Sequence, residues 1–251
     1  MVSNMRKKVN SVNMALEILN SFDQDKMLMG ITELSKKLGV SKSTIHRLVT
    51  TMEKQGYLEQ DPDSRKYKLG LSILRLSEII MKNHDIRNIA APYMQKIRDY
   101  TEESVHLNVV SYTQNARVCI AKYESHHDLR YVIELGQFLP LHMGASGKIL
   151  LANLEEQHIE SVLEALPDID KNKLLSDLET IREQGYCISY GERIPGASSV
   201  SFPIKNRKSK LIAGLTVSGP SLRLTKEKVK EYFEPVKTAV TEISKQVGYQ
   251  S

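Results

Sequence analysis

The chain has 251 residues, of which 41% are hydrophobic and 26% charged, and its formal net charge is +5. This composition excludes a disordered chain, and the length allows two domains. No apolar run approaches the ~18 residues of a membrane helix, and Asn13 and Glu17 interrupt the signal-like N-terminus. Cys119 and Cys187 form no CxxC pattern, so we expect small core thiols in a reducing, cytoplasmic compartment. A disulfide between them is the alternative.

The basic surplus lies in the first part of the chain. Residues 1–70 carry 12 Lys and Arg against 8 Asp and Glu, whereas residues 71–251 carry 23 against 22. Clustered positive charge is typical of a segment that contacts nucleic-acid phosphates. The run Arg6-Lys7-Lys8 fits an arm along the DNA backbone and a solvated tail equally well.

Three helices are predicted before residue 57. The first, over residues 10–22, packs under the other two through one apolar face. That face comprises Val12, Leu16, Leu19 and Phe22. The second helix has Thr32 as its cap and ends at Gly39, and Ser41 caps the third, which ends at Gly56. Because only a short turn separates the second helix from the third, the spacing is that of a helix-turn-helix.

The outer face of the third helix is the candidate DNA-reading surface. Its apolar side centres between Ile45 and Met52, and the opposite side presents cations and hydroxyls without a carboxylate. These groups bond phosphates and base edges. An ordinary helical hairpin with a solvated basic face is the alternative. The candidate contacts are Lys42, Ser43, Thr44, His46, Arg47 and Thr50.

A basic hairpin follows the helix pair. Residues 57–59 and 66–69 are strand-like, and the turn between them is rich in Asp, Pro and Ser. They predict a two-stranded wing that presents Arg65, Lys66 and Lys68. Helix, turn, helix and basic wing together favour DNA binding far more than a helix pair alone.

Residues 71–83 predict a helix that is apolar around most of its circumference. Only Arg75, Glu78 and Lys82 form a polar stripe. Since a helix of this kind is buried on several sides, we expect it to pack against two domains or against its own copy in a dimer. A core helix of a single domain is the alternative.

From residue 85 the pattern changes to strands interrupted by a helical block, which predicts an α+β domain with one antiparallel sheet. The predicted helices are 85–101, 145–153, 155–165, 171–185 and 225–246, and the predicted strands are 105–110, 117–123, 130–135, 187–190, 198–204 and 211–218.

Five segments, in order, carry a resemblance to a known family. They are VSKSTIHRLVTTMEKQGYLEQDPDSRKYKLG (40–70), ESVHLNVV (103–110), PLHMGASGKILLA (140–152), REQGYCISYGERIPGASSVSFPI (182–204) and LTVSGP (215–220). With these segments in register, the whole chain resembles the IclR family of bacterial transcriptional regulators.

The resemblance implies an architecture and partners. Residues 1–70 would form a winged helix-turn-helix DNA-binding domain, residues 71–84 a linker helix, and residues 85–251 an effector-binding domain with a GAF/PAS-like fold. It also implies a homodimer or a dimer of dimers that binds a palindromic double-stranded operator. Most members repress, some activate, and the effector is often an organic acid.

Residues 144–148 match neither of two enzyme motifs. A Walker A loop needs glycine where His142 stands and Ser or Thr where Ile149 stands. A nucleophile elbow needs glycine where Lys148 stands. Backbone amides at a helix start near Ala145 favour a carboxylate site instead, with a loop that merely needs glycine as the alternative.

The resemblance implies an effector pocket around this loop. Thr216 and Ser218 are two apart in a strand, so their side chains share one face. Ser189 and Ser199 stand where glyoxylate-type members carry Asp and Cys, so we expect a different small organic or sugar acid. Glu192 also has a family match, and its role stays open between pocket and structure. The implied contacts are Tyr131, Leu139, Ala145, Ser146, Ser189, Ser199, Thr216 and Ser218.

No metal, cofactor or catalytic group is expected. Of the histidines His106, His126, His127 and His142, no two have helical i, i+4 spacing, and neither cysteine nor clustered carboxylate joins them. The sequence therefore predicts a ligand-responsive transcriptional repressor of a catabolic operon, released by a small anionic metabolite. A metabolite-binding or enzymatic domain whose winged helix contacts protein is the alternative, and the lack of a nucleophile or acid–base pair argues against it.

Overall fold

A computed structural model describes residues 10–23, 25–82 and 85–247, and the chain divides into two compact units between residues 83 and 84. The basic run at residues 6–8 lies outside the described residues. The N-terminal unit comprises helices α1 (Asn10–Leu19), α2 (Ile31–Leu38), α3 (Lys42–Lys54) and α4 (Ser72–Lys82), and strands β1 (Leu58–Gln60) and β2 (Tyr67–Leu69).

The helix-turn-helix is confirmed in α2 and α3, with one capping residue corrected. Gly39 ends α2 in the left-handed conformation at φ 66°, and Ser41 Oγ accepts a hydrogen bond from the Thr44 amide at 3.3 Å. The predicted cap at Thr32 is wrong, because α2 begins at Ile31. The carboxylate of Glu33 reaches back to the Gly30 N–H at 2.6 Å instead.

The apolar face of α1 is rotated from the predicted one. Ile18 is fully buried against α2 and α3, with Leu19 and Phe22 beside it, whereas Val12 and Leu16 are 57% and 54% exposed. The prediction was therefore wrong at Val12 and Leu16. It grouped them with Leu19 by helical spacing and left out Ile18, whose side chain faces the core.

The wing is an antiparallel pair, β1 with β2, as predicted. Leu58 pairs with Leu69 and Gln60 with Tyr67. The Asp61 carboxylate accepts the Ser64 amide at 2.8 Å, which closes the turn. Tyr67 also bridges Met29 and buries its ring in the core, so the wing is anchored to the helices.

Helix α4 is confirmed as a helix, but the single chain does not bury it. Leu71, just before it, and Leu74 are 77% and 67% exposed, and Ile79 and Ile80 are 49% and 56% exposed. The packing expected for this helix, against two domains or against its own copy in a dimer, stays a prediction. No helix among the described ranges is long and apolar enough to cross a membrane.

The C-terminal unit is an α+β domain built on one sheet. Its strands lie in the order β5-β4-β3-β8-β7-β6, and every neighbouring pair is antiparallel. Its helices are α5 (Asp85–Thr101), α6 (Gly144–Leu151), α7 (Glu156–Glu164), α8 (Lys171–Gln184) and α9 (Lys226–Val247), and its strands β3 (Ser104–Ser111), β4 (Ala116–Tyr123), β5 (Phe138–Pro140), β6 (Cys187–Tyr190), β7 (Ala197–Lys205) and β8 (Leu211–Pro220).

The predicted strand at residues 130–135 is wrong. That segment is irregular, and the edge strand is β5, where Phe138 pairs with Val118. Ile133 is buried against Cys119 and Leu139, so the segment is held by side-chain packing rather than by ladder hydrogen bonds. The other helices and strands of this unit agree with prediction to within two residues.

The two faces of the sheet differ in chemistry. On one face, Val105 and Leu107 of β3 pack with α5 and α9 in an apolar core. On the other face lie α6 and buried polar side chains. Helix α6 approaches the end of β5 so closely that a Cβ at Gly147 would lie 2.6 Å from the Pro140 carbonyl oxygen. This contact fixes the start of α6 against the edge of the sheet.

Candidate functional site

The side chains predicted to bind DNA lie on the surface of α3. Lys42, Ser43, His46 and Arg47 are exposed, and Thr44 and Thr50 are half-buried. At the start of the helix, Ser41 Oγ lies 3.0 Å from Ser43 Oγ and 2.9 Å from Thr44 Oγ1. Three hydroxyls thus cluster where helix N–H groups also point outward, an arrangement suited to a phosphate oxygen.

Two of the three predicted wing cations already have carboxylate partners. Lys66 Nζ lies 3.1 Å from Glu33, and Lys68 Nζ lies 3.1 Å from Glu59. Arg65 is exposed and takes a left-handed φ of 57° at the turn. Because the two pairs are solvent-exposed and weak, an anion such as phosphate can compete for the lysines.

The second candidate site is the polar face of the six-stranded sheet. Strand register sets Ser199 opposite both Ser218 and Ser189, and it sets His106 opposite Thr216. All but half-buried Ser199 are almost completely buried. Buried polar groups are normally hydrogen-bonded, so such a dense set on one sheet face indicates a place for a polar ligand.

A pocket opens onto this face between α6 and the segment that follows β6. Its cavity volume is about 20 Å³, room for about one water molecule, within about 310 Å³ of space that includes open solvent at the mouth. It contains six of the eight side chains implied for effector binding: Tyr131, Ala145, Ser146, Ser189, Ser199 and Ser218.

The remaining two implied residues, Leu139 and Thr216, lie outside the lining. Thr216 Oγ1 is 2.8 Å from Ser201 Oγ, so its hydroxyl is engaged behind the pocket wall. Leu139 is buried in a small cluster with Cys119 and Ile133, against which Tyr131 packs.

The carboxylate of Glu192 lies against the first residue of α6. Its Oε2 accepts hydrogen bonds from the Gly144 amide at 3.1 Å and from Ser189 Oγ at 3.3 Å, and its Oε1 lies 2.6 Å from Lys148 Nζ. Lys148 also pairs with Asp177 at 2.9 Å. Burial lowers the pKa of Lys148, but the two carboxylates more than compensate and raise it above its ordinary value. The start of α6 thus already holds a carboxylate of the protein, which is paired with Lys148.

The sequence interpretation missed Arg193, which lines the pocket, and the buried Arg117, which is not part of the lining. Arg193 donates through Nη2 to Tyr131 Oη and places its guanidinium carbon 5.5 Å from the centre of that ring. Arg117 is 1% exposed and donates through Nη1 to Asn108 Oδ1 at 2.9 Å. Arg193 follows Glu192 in a segment that the resemblance had highlighted, which was the one available signal. Nothing in RVCIAKY marks Arg117 as inward-facing.

Several buried polar atoms beside the pocket lack a hydrogen-bond partner. They are both ring nitrogens of His106, Nδ2 of Asn108 and Nε of Arg117. The His106 ring lies edge-on to Tyr131, with centroids 5.8 Å apart. Burial first, and then the nearby Arg117, lower the pKa of His106 to about 3, so the imidazole is neutral.

The remaining candidate groups are the two cysteines and possible metal ligands. Cys119 and Cys187 are buried free thiols, and burial raises their pKa to about 11 and about 12. Within the described ranges, no group of three or more His, Cys, Asp or Glu side chains is placed to hold a metal ion.

Comparison with known proteins matches both units. Residues 11–62 match the IclR helix-turn-helix domain, and residues 79–245 match the C-terminal domain of the bacterial transcriptional regulator IclR. The chain is 33% identical over 249 residues to the HTH-type transcriptional regulator KdgR of Escherichia coli K12, covering 96% of this chain and 94% of KdgR.

Two further similarities agree. The HTH-type transcriptional repressor AllR of the same strain is 26% identical over 254 residues, covering 98% of this chain and 93% of AllR. The crystal structure of IclR from Thermotoga maritima matches with a TM-score of 0.77 and 27% identity, over 96% of this chain and 99% of that one. The chain therefore belongs to the IclR family of bacterial transcriptional regulators, and it is a regulator rather than an enzyme.

Proposed function

We propose that this chain represses a catabolic operon by binding a palindromic operator, and that a small anionic metabolite in the pocket releases it. The buried polar face of the sheet is the observation that carries this proposal. A core built for stability alone would be apolar there, because buried polar groups without partners cost free energy. The repressor name of the relative AllR supports repression.

On the DNA side, the proposal assigns residues 1–70 to DNA binding, with α3 in the major groove. Arg47 and Ser43 would approach base edges, because both are exposed on the face opposite the core. The wing would lie along the sugar-phosphate backbone. The proposed contacts are Lys42, Ser43, Thr44, His46, Arg47, Thr50, Arg65, Lys66 and Lys68.

Residues 71–84 are proposed to link the domains and to pair with a second copy of the chain. The exposed apolar side chains of α4, among them Leu74 and Ile80, support a helix that is covered in the working molecule. A dimer, or a dimer of dimers, presents two α3 helices to half-sites ~34 Å apart or a multiple of it. Because its target is DNA, we propose the cytoplasm as its compartment.

Residues 85–251 are proposed to bind the effector. Ser146, Ser189, Ser199 and Ser218 offer hydroxyls to the ligand, and Tyr131 and Ala145 supply the remaining implied contacts of the lining. Thr216 is proposed to act through Ser201, to which its hydroxyl is bonded, and Leu139 to act by packing beside Tyr131.

A dimer can hold its two DNA-binding domains in more than one arrangement. Effector binding can weaken DNA binding only if the ligand binds one of these arrangements more tightly than another. Residues 71–84 are the covalent connection, and α4 within them can move as one rigid piece. It is therefore the proposed mechanical link.

The test begins with selection of duplexes from a random pool by the full chain, followed by titration of the selected duplex. We expect a palindromic consensus among the selected duplexes. We also expect some members of a panel of small organic and sugar acids to release the selected duplex from the chain. A double variant, Ser199→Ala with Ser218→Ala, should bind the duplex normally and lose the response. Ser176→Ala, on the exposed face of α8, is the matched control.

Two results would contradict the proposal. Failure to enrich any duplex would remove the DNA-binding assignment for this chain. A normal response in the double variant would place the effector outside this pocket.

A further inference from the structure

In this structure the pocket on the polar face of the sheet is too small to enclose a metabolite. Its cavity volume of about 20 Å³ has room for about one water molecule, whereas pockets for small molecules are roughly 300–1,000 Å³. Its wall includes the start of α6 and two irregular segments, which contain Tyr131 and Arg193. A metabolite can therefore be enclosed there only if part of the wall moves.

The backbone around Tyr131 is fixed on both sides. Two residues before it, the carbonyl oxygen of Leu129 accepts a hydrogen bond from Arg223 Nη2 at 2.9 Å. Two residues after it, Ile133 is 3% exposed and packs against Cys119. Moving this backbone segment would break that hydrogen bond and expose a buried side chain, and both changes cost free energy.

The loop that carries Arg193 is also held in place. At its base, the Gly191 N–H donates to the Ala197 carbonyl oxygen at 2.7 Å. Next to Arg193, the carboxylate of Glu192 accepts the Gly144 amide at 3.1 Å, which ties the loop to α6. Because the backbone is fixed on both sides of the pocket, side chains are the parts of the wall most free to move.

The side chains of Tyr131 and Arg193 meet between these two segments. Arg193 donates through Nη2 to the phenol oxygen, and its guanidinium carbon lies 5.5 Å from the centre of the ring. Arg117, which is not part of the lining, is also within hydrogen-bonding reach of Tyr131. The ring also lies edge-on to the buried His106, with centroids 5.8 Å apart. Rotation of the phenol to another staggered position breaks these side-chain contacts and leaves the backbone unchanged.

We propose that the Tyr131 side chain is a gate that closes the pocket and that its contact with Arg193 is the latch that holds the gate closed. This inference rests on the proposed effector pocket and adds the route by which a ligand enters it. Because only an open gate admits a ligand, the apparent affinity falls in proportion to the fraction of chains whose gate is open. Weakening the latch therefore strengthens effector binding, whereas loss of a contact to the effector would weaken it.

The test measures opening with a thiol reagent, so it needs no effector. Ser218→Cys places a thiol in the lining, at a position that is 2% exposed. The rate at which iodoacetamide modifies the full chain, followed by intact mass, reports how often that thiol can be reached. The native Cys119 and Cys187 give a slow background, because they are buried and burial raises the pKa of both thiols.

Weakening the latch should raise the modification rate. We expect Arg193→Met and Tyr131→Phe, each combined with Ser218→Cys, to react roughly tenfold faster or more, since a hydrogen bond to a charged group is lost. Tyr112→Phe, at an exposed tyrosine outside the lining, is the matched control and should leave the rate unchanged. A rate that neither latch variant raises overturns the gate.

Two further measurements separate a local gate from other causes. Arg193→Met together with Tyr131→Phe should react about as fast as Tyr131→Phe alone, because the arginine acts through the phenol. If the two single effects multiply instead, the residues act independently and the latch is overturned. Cys187, which is buried in the core shared by α6 and α8, should stay unmodified in every variant. Its modification at the rate of the introduced thiol would mean that the whole fold opens, which overturns a local gate.

The gate and the proposed function fail separately. If an acid of the panel releases the duplex from the wild type, the Arg193→Met variant should release it at a roughly tenfold lower concentration of that acid. An equal or higher concentration overturns the latch. If the thiol rates respond as expected but no acid affects DNA binding, the gate stands and the proposed function fails. If an acid releases the duplex but the thiol rates do not respond, the gate fails and the proposed function stands.

Discussion

Lys148 and Glu192 are joined by an ion pair of 2.6 Å between Nζ and Oε1, and the lysine is the more buried partner. Through it, α6 is tied to the segment after β6 and, by Asp177, to α8. The pair therefore holds the carboxylate of Glu192 at the start of α6.

Replacing Lys148 should loosen this end of the pocket. Lys148→Met leaves two carboxylates near each other without their cation, and we expect a loss of about 1–2 kcal/mol in the free energy of unfolding, since the carboxylates remain partly solvated. Urea denaturation measures it. Lys171→Met, at the exposed start of α8, is the control and should change stability by less than ~0.5 kcal/mol.

Arg47 should contribute sequence discrimination. Arg47→Ala is expected to cost about 1–3 kcal/mol on the selected duplex and to relax the preference at one base pair, because a bidentate contact to a base edge is lost. Binding constants for the selected and a scrambled duplex measure this. Lys36→Ala, an exposed cation of α2, is the comparison. Equal losses on both duplexes would make Arg47 a phosphate contact only.

The wing should act on all sequences alike. Replacing Lys66 and Lys68 by Gln should weaken every duplex and lower the salt dependence by about one unit for each lost phosphate contact. Glu59→Gln is the complementary change, because it removes the carboxylate that pairs with Lys68, and it should strengthen binding to every duplex. A salt slope that stays the same in the double variant would show that the wing faces away from DNA.

His106 should make the fold sensitive to acid. Its pKa is about 3 in the folded chain against 6.5 in the ordinary state, because it is buried and near Arg117, Lys122 and Arg193, with Glu124 acting oppositely. Below pH 6.5 the unfolded chain therefore binds a proton that the folded chain does not. The free energy of unfolding falls as the pH drops below that value. Between about pH 7.5 and about pH 5 this group should cost about 2 kcal/mol.

The check is the pH dependence of urea unfolding in His106→Gln, whose slope should be flatter than that of the wild type. His126→Gln, an exposed histidine, should retain the wild-type slope. Identical slopes in all three chains would mean that His106 titrates normally.

Helix α4 should control assembly. Leu74→Glu places a charge on an apolar surface that is 67% exposed in the single chain, and we expect it to shift a dimer to monomer and to abolish cooperative binding to the palindrome. Light scattering measures the mass. Arg75→Glu, on the polar stripe of the same helix, is the control. An unchanged mass in Leu74→Glu would exclude α4 from the interface.

The elements predicted best from the sequence were those with local signals. Gly39 and Ser41 mark the two sides of the helix-turn-helix turn through a left-handed φ and a side-chain cap, and each effect acts within a few residues. The hydroxyl pair Thr216 and Ser218 was placed on one face by strand periodicity alone, and the register confirms that geometry.

The missed features depend on contacts between distant parts of the chain. Arg117 looks like an ordinary strand cation, and only the pairing of β3 with β4 brings it to Asn108 in the interior. Ile133 reads as part of a strand, yet its partners Cys119 and Leu139 hold it by packing. Glu192 reaches the Gly144 amide 48 residues away, which no local pattern encodes.

The missing Cβ of Gly147 has a consequence for redesign. Because α6 touches the Pro140 and Leu141 carbonyl oxygens there, the helical wall of the pocket has no room to accommodate larger side chains at that position. The wall formed by Tyr131, Arg193 and Ile194 comes from irregular segments with no ladder to disturb. Biosensors for new acids are therefore best evolved by randomising those loops, with the first turn of α6 left unaltered.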